Sequence, residues 1–268
     1  MPLTPQQIRA EAKLLDDAER TVVQIRQSTS VYPEMTIDDA YAVQAAWREL
    51  KESRGRRLIG HKIGLTSRAM QQAMNITTPD SGFLTDDMVF MPDTEIEATR
   101  FPDLKIEVEL AFLLKQDLVG LDLTIDDVLD ATDHIVPAIE MIAARSFRTD
   151  PDTGRTRTVI DTISDNAADA GIITGGRAIG PREVDLRWVG AMLAKNGTVE
   201  ETGLAGGVLG HPANGIVWLA RRYAQHDMVL EAGQTILAGS FTRPLVVVPG
   251  DNFVADYGPL GSFELPFV

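Results

Sequence analysis

Apolar residues recur at helical spacing from Gln6 to Gln27, where Ile8, Leu14, Leu15, Ala18, Val22 and Ile25 predict a helix with one buried stripe. Thr36, with Asp39 three residues on, predicts the N-cap of a second helix, whose Ala40, Val43, Trp47 and Leu50 share a face. Beyond Gly55 the period changes. Leu58-Ile59-Gly60-His61-Lys62-Ile63-Gly64 is short and glycine-bounded, as a strand would be. Between Lys105 and Leu114 the alternation is strict: Ile106, Val108, Leu110, Phe112 and Leu114 take one face, and Lys105, Glu107, Glu109, Ala111 and Leu113 the other. Thr124 and Asp127 cap a further short helix, and Ile135 to Ile142 is an apolar run interrupted by Pro137 and Glu140.

The second half reads mostly as strand. Asn196-Gly197 is a hairpin signal. A helix follows, with Pro212 near its first position and Ile216, Leu219, Ala220 and Tyr223 inward. Short strands are predicted at Gln234 to Ala238, Pro244 to Val248, Asn252 to Ala255 and Ser262 to Leu265. The Arg/Asp/Thr-rich stretch from Arg145 to Arg157 predicts a long loop, often a functional feature in a compact domain. The pattern predicts an α+β protein, with an N-terminal helical region over 1–56 and a β-rich catalytic domain over 57–268.

Composition narrows the chemistry. The 268 residues include no cysteine, which excludes disulfides, thiolate nucleophiles and thiolate metal sites. No apolar run is long enough to span a bilayer, and no export signal opens the chain, so a cytoplasmic address is expected. A net charge of -14 argues against nucleic acid, whose phosphates need clustered Lys and Arg. It also repels anionic substrates, so an anion would bind only where the pocket carries its own positive charge.

Glu107 and Glu109, two apart on a strand, project from one face, and Glu140 sits among Ala138, Ile139, Met141 and Ile142. Were the three to converge, their repulsion would demand a cation, and an all-oxygen ligand set favours Mg²⁺ or Mn²⁺ over zinc. The same spacing also suits a solvated strand face. Lys62, between His61 and Ile63, fits a pocket amine with a lowered pKa as well as it fits an exposed lysine. Asp80, in Pro79-Asp80-Ser81-Gly82, has turn chemistry that suits a cap as readily as an acid catalyst. Ser164 lies in the polar cluster 161–166, which reads as loop or cap. Arg145, Arg148, Arg155 and Arg157 crowd one segment; each suits a solvated loop, and a bidentate one could clamp a carboxylate. No P-loop, dinucleotide fingerprint or His-Glu-x-x-His is present.

Taken together, ordered motifs along nearly the whole chain resemble one family. They are Gly60-His61-Lys62-Ile63-Gly64-Leu65-Thr66-Ser67, Pro79-Asp80-Ser81-Gly82, Ile106-Glu107-Val108-Glu109-Leu110-Ala111-Phe112 and Ile135-Val136-Pro137-Ala138-Ile139-Glu140. They continue with Asp161-Thr162-Ile163-Ser164-Asp165-Asn166, His211-Pro212-Ala213-Asn214-Gly215 and Gly239-Ser240-Phe241-Thr242-Arg243-Pro244. The family is that of the 2-oxo-alkenoate hydratases and decarboxylases within the fumarylacetoacetate hydrolase superfamily. The resemblance implies a strand-rich core of that superfamily with N-terminal helices, Mg²⁺ held by Glu107, Glu109 and Glu140, and proton transfer by Lys62 and Asp80. It implies that Ser164 contacts a bound small 2-oxo acid, and that the chain forms a homo-oligomer. The expected activity is hydration, with Arg145 and its neighbours taken to hold a distal carboxylate. Ser81 departs from the family pattern, which carries an aromatic there. No motif matches the His–Glu pair of the superfamily's C–C hydrolases, which argues against hydrolysis of a diketone.

Overall fold

The computed structural model describes residues 2–67, 71, 76 and 78–268. Helices α1 (Pro5–Thr21), α2 (Ser28–Val31) and α3 (Ile37–Ser53) lead the chain. Thr4 with Gln7, and Thr36 with Asp39, close capping boxes that satisfy the first amides of α1 and α3. The first helix is shorter than its apolar stripe predicts. It stops at Val22, whose φ of 59° is left-handed. The chain then pairs with the loop beyond residue 144: the Ile25 amide donates to the Arg145 carbonyl at 2.9 Å, and the Phe147 amide to the Ile25 carbonyl at 2.9 Å. Tertiary hydrogen bonds override helical spacing there.

An eight-stranded sheet runs in the order β2-β1-β9-β4-β5-β6-β3, with β10 beside β4. Its strands are β1 (Leu58–Gly64), β2 (Asp80–Thr85), β3 (Val89–Phe90), β4 (Lys105–Leu114), β5 (Thr132–Ile142), β6 (Asp169–Thr174), β9 (Thr235–Leu237) and β10 (Leu245–Val246). A four-stranded sheet follows the order β12-β11-β7-β8. It holds β7 (Gly190–Lys195), β8 (Thr198–Leu204), β11 (Asn252–Asp256) and β12 (Ser262–Pro266). As the sequence predicts, Asn196 and Gly197 turn the β7–β8 hairpin, with φ of 51° and 83°, both in the region such a turn needs. Helices α4 (Ile125–Ala131) and α6 (Ala213–Ala224) also lie where expected. Helix α5 (Val159–Ser164) is a difference: a capping box of Thr158 and Asp161 makes a helix where the polar cluster reads as loop.

The alternation of β4 decides where everything else sits. Ile106, Val108, Leu110 and Phe112 join Leu193, Phe253, Phe263 and Leu265 of the smaller sheet in one core. Each such side chain contributes roughly 1.5–3 kcal/mol by leaving water. Ala111 of β4, Ala138 of β5, Ile172 of β6 and Leu237 of β9 face the other way, packing in a second core with Leu15, Val43 and Trp47 of α1 and α3. Glu107 and Glu109 share this second face with Ala111. The leading helices thus cover the sheet face that carries the acids.

Candidate metal centre and active site

Strands β4 and β5 pair so that Glu107 stands directly opposite Glu140, with Glu109 two residues along. Like charges in that register are destabilising. One oxygen from each of the three carboxylates falls within 4.8 Å of the others. Glu109 and Glu140 are fully buried. Burial, and then the Glu140 charge, push Glu107 up to about 8 and lift Glu109 well above the usual carboxylate range. The Gly239 amide donates to Glu109 Oε2 at 2.9 Å, yet Oε1 of Glu109 and both oxygens of Glu140 are buried without a hydrogen-bond partner. Such oxygens are costly to bury unless something else meets them. An all-oxygen cluster fits a hard divalent cation, since ligands across an ion at about 2.0–2.6 Å stand about 4–5 Å apart.

Lys62 arrives from β1, opposite Gly82 of β2 and Leu237 of β9. Its Nζ is 3.1 Å from Glu140 Oε1, an ion-pair distance that is not aligned as a hydrogen bond. The lowered pKa expected from burial is not what the site produces. Burial does oppose the charge, but Glu140, Asp80, Asp169 and Glu107 together outweigh it and raise the lysine above its ordinary value. Asp80, paired with Gly64 across β1 and β2, is buried and its carboxyl is raised by burial, with Lys62 pulling the other way. Gly64 makes this approach possible: a Cβ there would lie 2.2 Å from Asp80 Oδ1 and 3.0 Å from Lys62 Nζ.

Ser164 and Arg145 stand differently. The buried Ser164 hydroxyl donates to the Ile160 carbonyl of its own helix at 2.9 Å. The Arg145 guanidinium is fully buried and committed: Nε donates to Asp165 Oδ1 at 2.6 Å, Nη1 to the Asp169 carbonyl at 2.8 Å and Nη2 to the Asp165 carbonyl at 2.7 Å. It also stacks over Trp47 at 4.9 Å and borders a cavity of about 270 Å³ shared with Glu19, Lys51 and Asp87. With every nitrogen engaged, it braces the backbone between Asp165 and Asp169.

Four residues that gained no role from sequence belong here. Asp169 is buried with Oδ2 unpartnered, and its charge bears on Lys62. Ser240 and Gly239 touch Glu107 and Glu109; both lie in a quoted motif, and Gly239 has φ of 117° with Thr66 packed where a Cβ would stand. Tyr257 comes from the smaller sheet, its hydroxyl 2.9 Å from the Glu109 carbonyl and 2.5 Å from the Ala138 carbonyl, bracing both strands from behind. At Ser81, the departure from the family pattern, the half-buried Tyr41 of α3 stands beside both Ser81 and Asp80.

No family model matches the chain. The chain is 55% identical over 257 residues to 2-oxo-hept-4-ene-1,7-dioate hydratase of Escherichia coli, covering 96% of each. It is 36% identical over 265 residues to 2-keto-4-pentenoate hydratase of Paraburkholderia xenovorans, covering 99% of this chain and 96% of the other. The solved 4-oxalocrotonate decarboxylase from Pseudomonas putida G7, complexed with magnesium and adipate, superposes with a TM-score of 0.94 at 36% identity over 99% of each chain. Full-length identity at this level, on a fold of the fumarylacetoacetate hydrolase type, places the chain in the family of 2-oxo-alkenoate hydratases and 4-oxalocrotonate decarboxylases.

Proposed function

We propose that the protein is a Mg²⁺-dependent hydro-lyase that converts 2-oxo-hept-4-ene-1,7-dioate to 4-hydroxy-2-oxoheptane-1,7-dioate in aromatic-acid degradation. The observation that carries this reading is the meeting of Glu107, Glu109 and Glu140 beside Lys62, in a chain 55% identical to a hydratase of that name. Glu107, Glu109 and Glu140 would hold the cation, with Mn²⁺ as an alternative to Mg²⁺. Bound there, it supplies Lewis acidity toward the oxygens of a 2-oxo carboxylate.

The chain's own groups handle the protons. Asp80, buried with a raised pKa, takes the proton from C3 and returns it to C5, which moves the double bond into conjugation with the ketone. Lys62, held protonated by the surrounding carboxylates, supplies a fixed positive charge to the anion formed in between. The oxygen of water then joins C4 and one of its protons ends on C3, which completes the addition. Ser164, at the C-terminal end of α5, would contact a bound acid by turning its hydroxyl from the Ile160 carbonyl to donate to a substrate oxygen. We also propose a homo-oligomer acting in the cytoplasm; Trp188, 71% exposed in a groove with Val184 and Met192, offers an apolar surface to a second copy.

A spectrophotometric assay with Mg²⁺ on 2-oxo-hept-4-ene-1,7-dioate tests the reading. Product formation by water addition, abolished by EDTA and restored by Mg²⁺, is expected. Replacing Lys62 with Ala should lower turnover by about 10²–10³ while metal binding persists in calorimetry. Carbon dioxide release from a vinylogous 2-oxo diacid without hydration would assign the chain to the decarboxylase branch instead. No turnover on any 2-oxo-alkenoate would leave only a metal-stabilised scaffold.

A further inference from the structure

The loop beyond β5 folds back as a narrow ribbon. Thr149 and Thr156 bridge antiparallel, and the Arg157 amide donates to the Arg148 carbonyl at 2.9 Å, so two guanidiniums leave facing positions of one ribbon. The ribbon is pinned beside the start of β4: the Ala144 amide donates to the Pro102 carbonyl at 3.1 Å, and Arg148 Nε pairs with Asp103. Two residues past Asp103 stands Lys105, on the same strand face as Glu107 and Glu109. That spacing puts Lys105 about 7 Å from Glu107 along the strand.

The positive charge in this corner is under-compensated. Asp165 is shared by two arginines. Arg145 holds it at 2.6 Å, whereas Arg157 Nη1 reaches it only at 3.5 Å. Asp161 is engaged by the amides and hydroxyls of Thr29 and Thr158. Arg157 is buried, its Nε donates to Thr162 Oγ1 at 3.1 Å, and its Nη2 has no hydrogen-bond partner; the Nη2 of Arg148 is likewise buried and unpartnered. Lys105 forms no ion pair among the described residues. Backbone pairing to Arg148 and the reach toward Asp165 thus hold the Arg157 guanidinium at the ribbon that is pinned beside the start of β4.

We propose that Lys105, Arg148 and Arg157 form the subsite for the far carboxylate of a dicarboxylic 2-oxo acid, with Arg157 as its principal contact. This deepens the hydratase reading and rests on it. A carboxylate docked there would satisfy the free guanidinium nitrogens by charge-assisted hydrogen bonds and would relieve the repulsion among three neighbouring cations. It also supplies the local positive field that a chain of net charge -14 must provide for a dianion. A substrate ending in a methylene leaves the same groups unpaired, so the subsite discriminates against it.

The test compares kcat/KM for 2-oxo-hept-4-ene-1,7-dioate with that for 2-hydroxypenta-2,4-dienoate, with Mg²⁺ saturating. In Arg157→Gln the ratio of dioate to dienoate should fall at least about tenfold, mainly through KM for the dioate. Arg157→Lys should retain part of the preference, because the charge survives and the fork does not. Should Arg157→Gln fail to fold, the half-buried Arg148→Gln and Lys105→Gln carry the test, and each should lower the same ratio. An unchanged ratio in folded variants overturns the subsite while leaving hydration intact. A wild-type protein that turns over neither acid overturns the hydratase reading itself, and the subsite with it.

Discussion

Glu107 ties the proposed metal centre to pH. In the metal-free fold it keeps its proton up to about pH 8, while in an unfolded chain it releases it near 4.5. Between those values the folded state binds more protons than the unfolded state, so unfolding free energy falls as pH rises across that window. A cation reverses the trend for its own binding, because carboxylates ligate only after losing their protons, and affinity therefore climbs over the same range. Thermal unfolding after EDTA treatment should show a melting temperature that drops from pH 5 to pH 8, and a Mg²⁺-induced gain that grows over the same steps. At free metal a hundredfold above Kd, that gain corresponds to about 2.7 kcal/mol. A Mg²⁺ gain equal at pH 5 and pH 8 would contradict the three carboxylates as its binding site.

Between α5 and β6 the backbone does something that the sequence does not announce. Asn166, Ala167 and Ala168 have φ of 51°, 51° and 62°, a run of left-handed residues without a glycine. Each costs about 1–2 kcal/mol, so the surroundings must hold the turn in place. Asn166 donates to the Phe83 carbonyl at 3.0 Å and accepts from the Phe83 amide at 2.8 Å, while Arg145 grips Asp165 and the Asp169 carbonyl. This clamp sets Asp169 at the head of β6, where its charge reaches Lys62. Replacing Asp165 with Asn leaves the buried Arg145 without its counter-ion, and urea unfolding should lose about 3–5 kcal/mol. A loss below about 1 kcal/mol would mean the clamp does not support the turn. Legibility follows the range of the forces at work. The alternation of β4, the Thr36 and Thr124 caps and the Asn196-Gly197 hairpin are local, and sequence alone places each of them. The same alternation puts Glu107 and Glu109 on one face, but their meeting with Glu140 depends on β4–β5 register. The burial of Arg145 was not legible, because its sequence neighbourhood resembles a solvated loop, whereas tertiary packing against Trp47 and Asp165 encloses it.

At the scale of the whole molecule, a net charge of -14 confronts the proposed substrate, which carries two carboxylates. The surface field and the cationic corner act over different distances, and salt separates them. At about 0.01 M ionic strength the Debye length is about 30 Å, so an approaching dianion meets the repulsion of the whole surface; at about 0.15 M it is about 8 Å, and distant surface carboxylates are screened. Groups as enclosed as Arg157 and Lys62 are screened far less, because little solvent reaches them. With Mg²⁺ kept saturating at each ionic strength, kcat/KM for the dioate should therefore rise severalfold from low salt to about 0.15 M. An enzyme that steers its substrate by surface charge does the opposite, losing association rate as salt increases. A fall in kcat/KM across this range would mean that attraction extends well beyond the pocket. The positive charge that admits the dianion would then have to come from outside the corner formed by Lys105, Arg148 and Arg157, most simply from a neighbouring subunit.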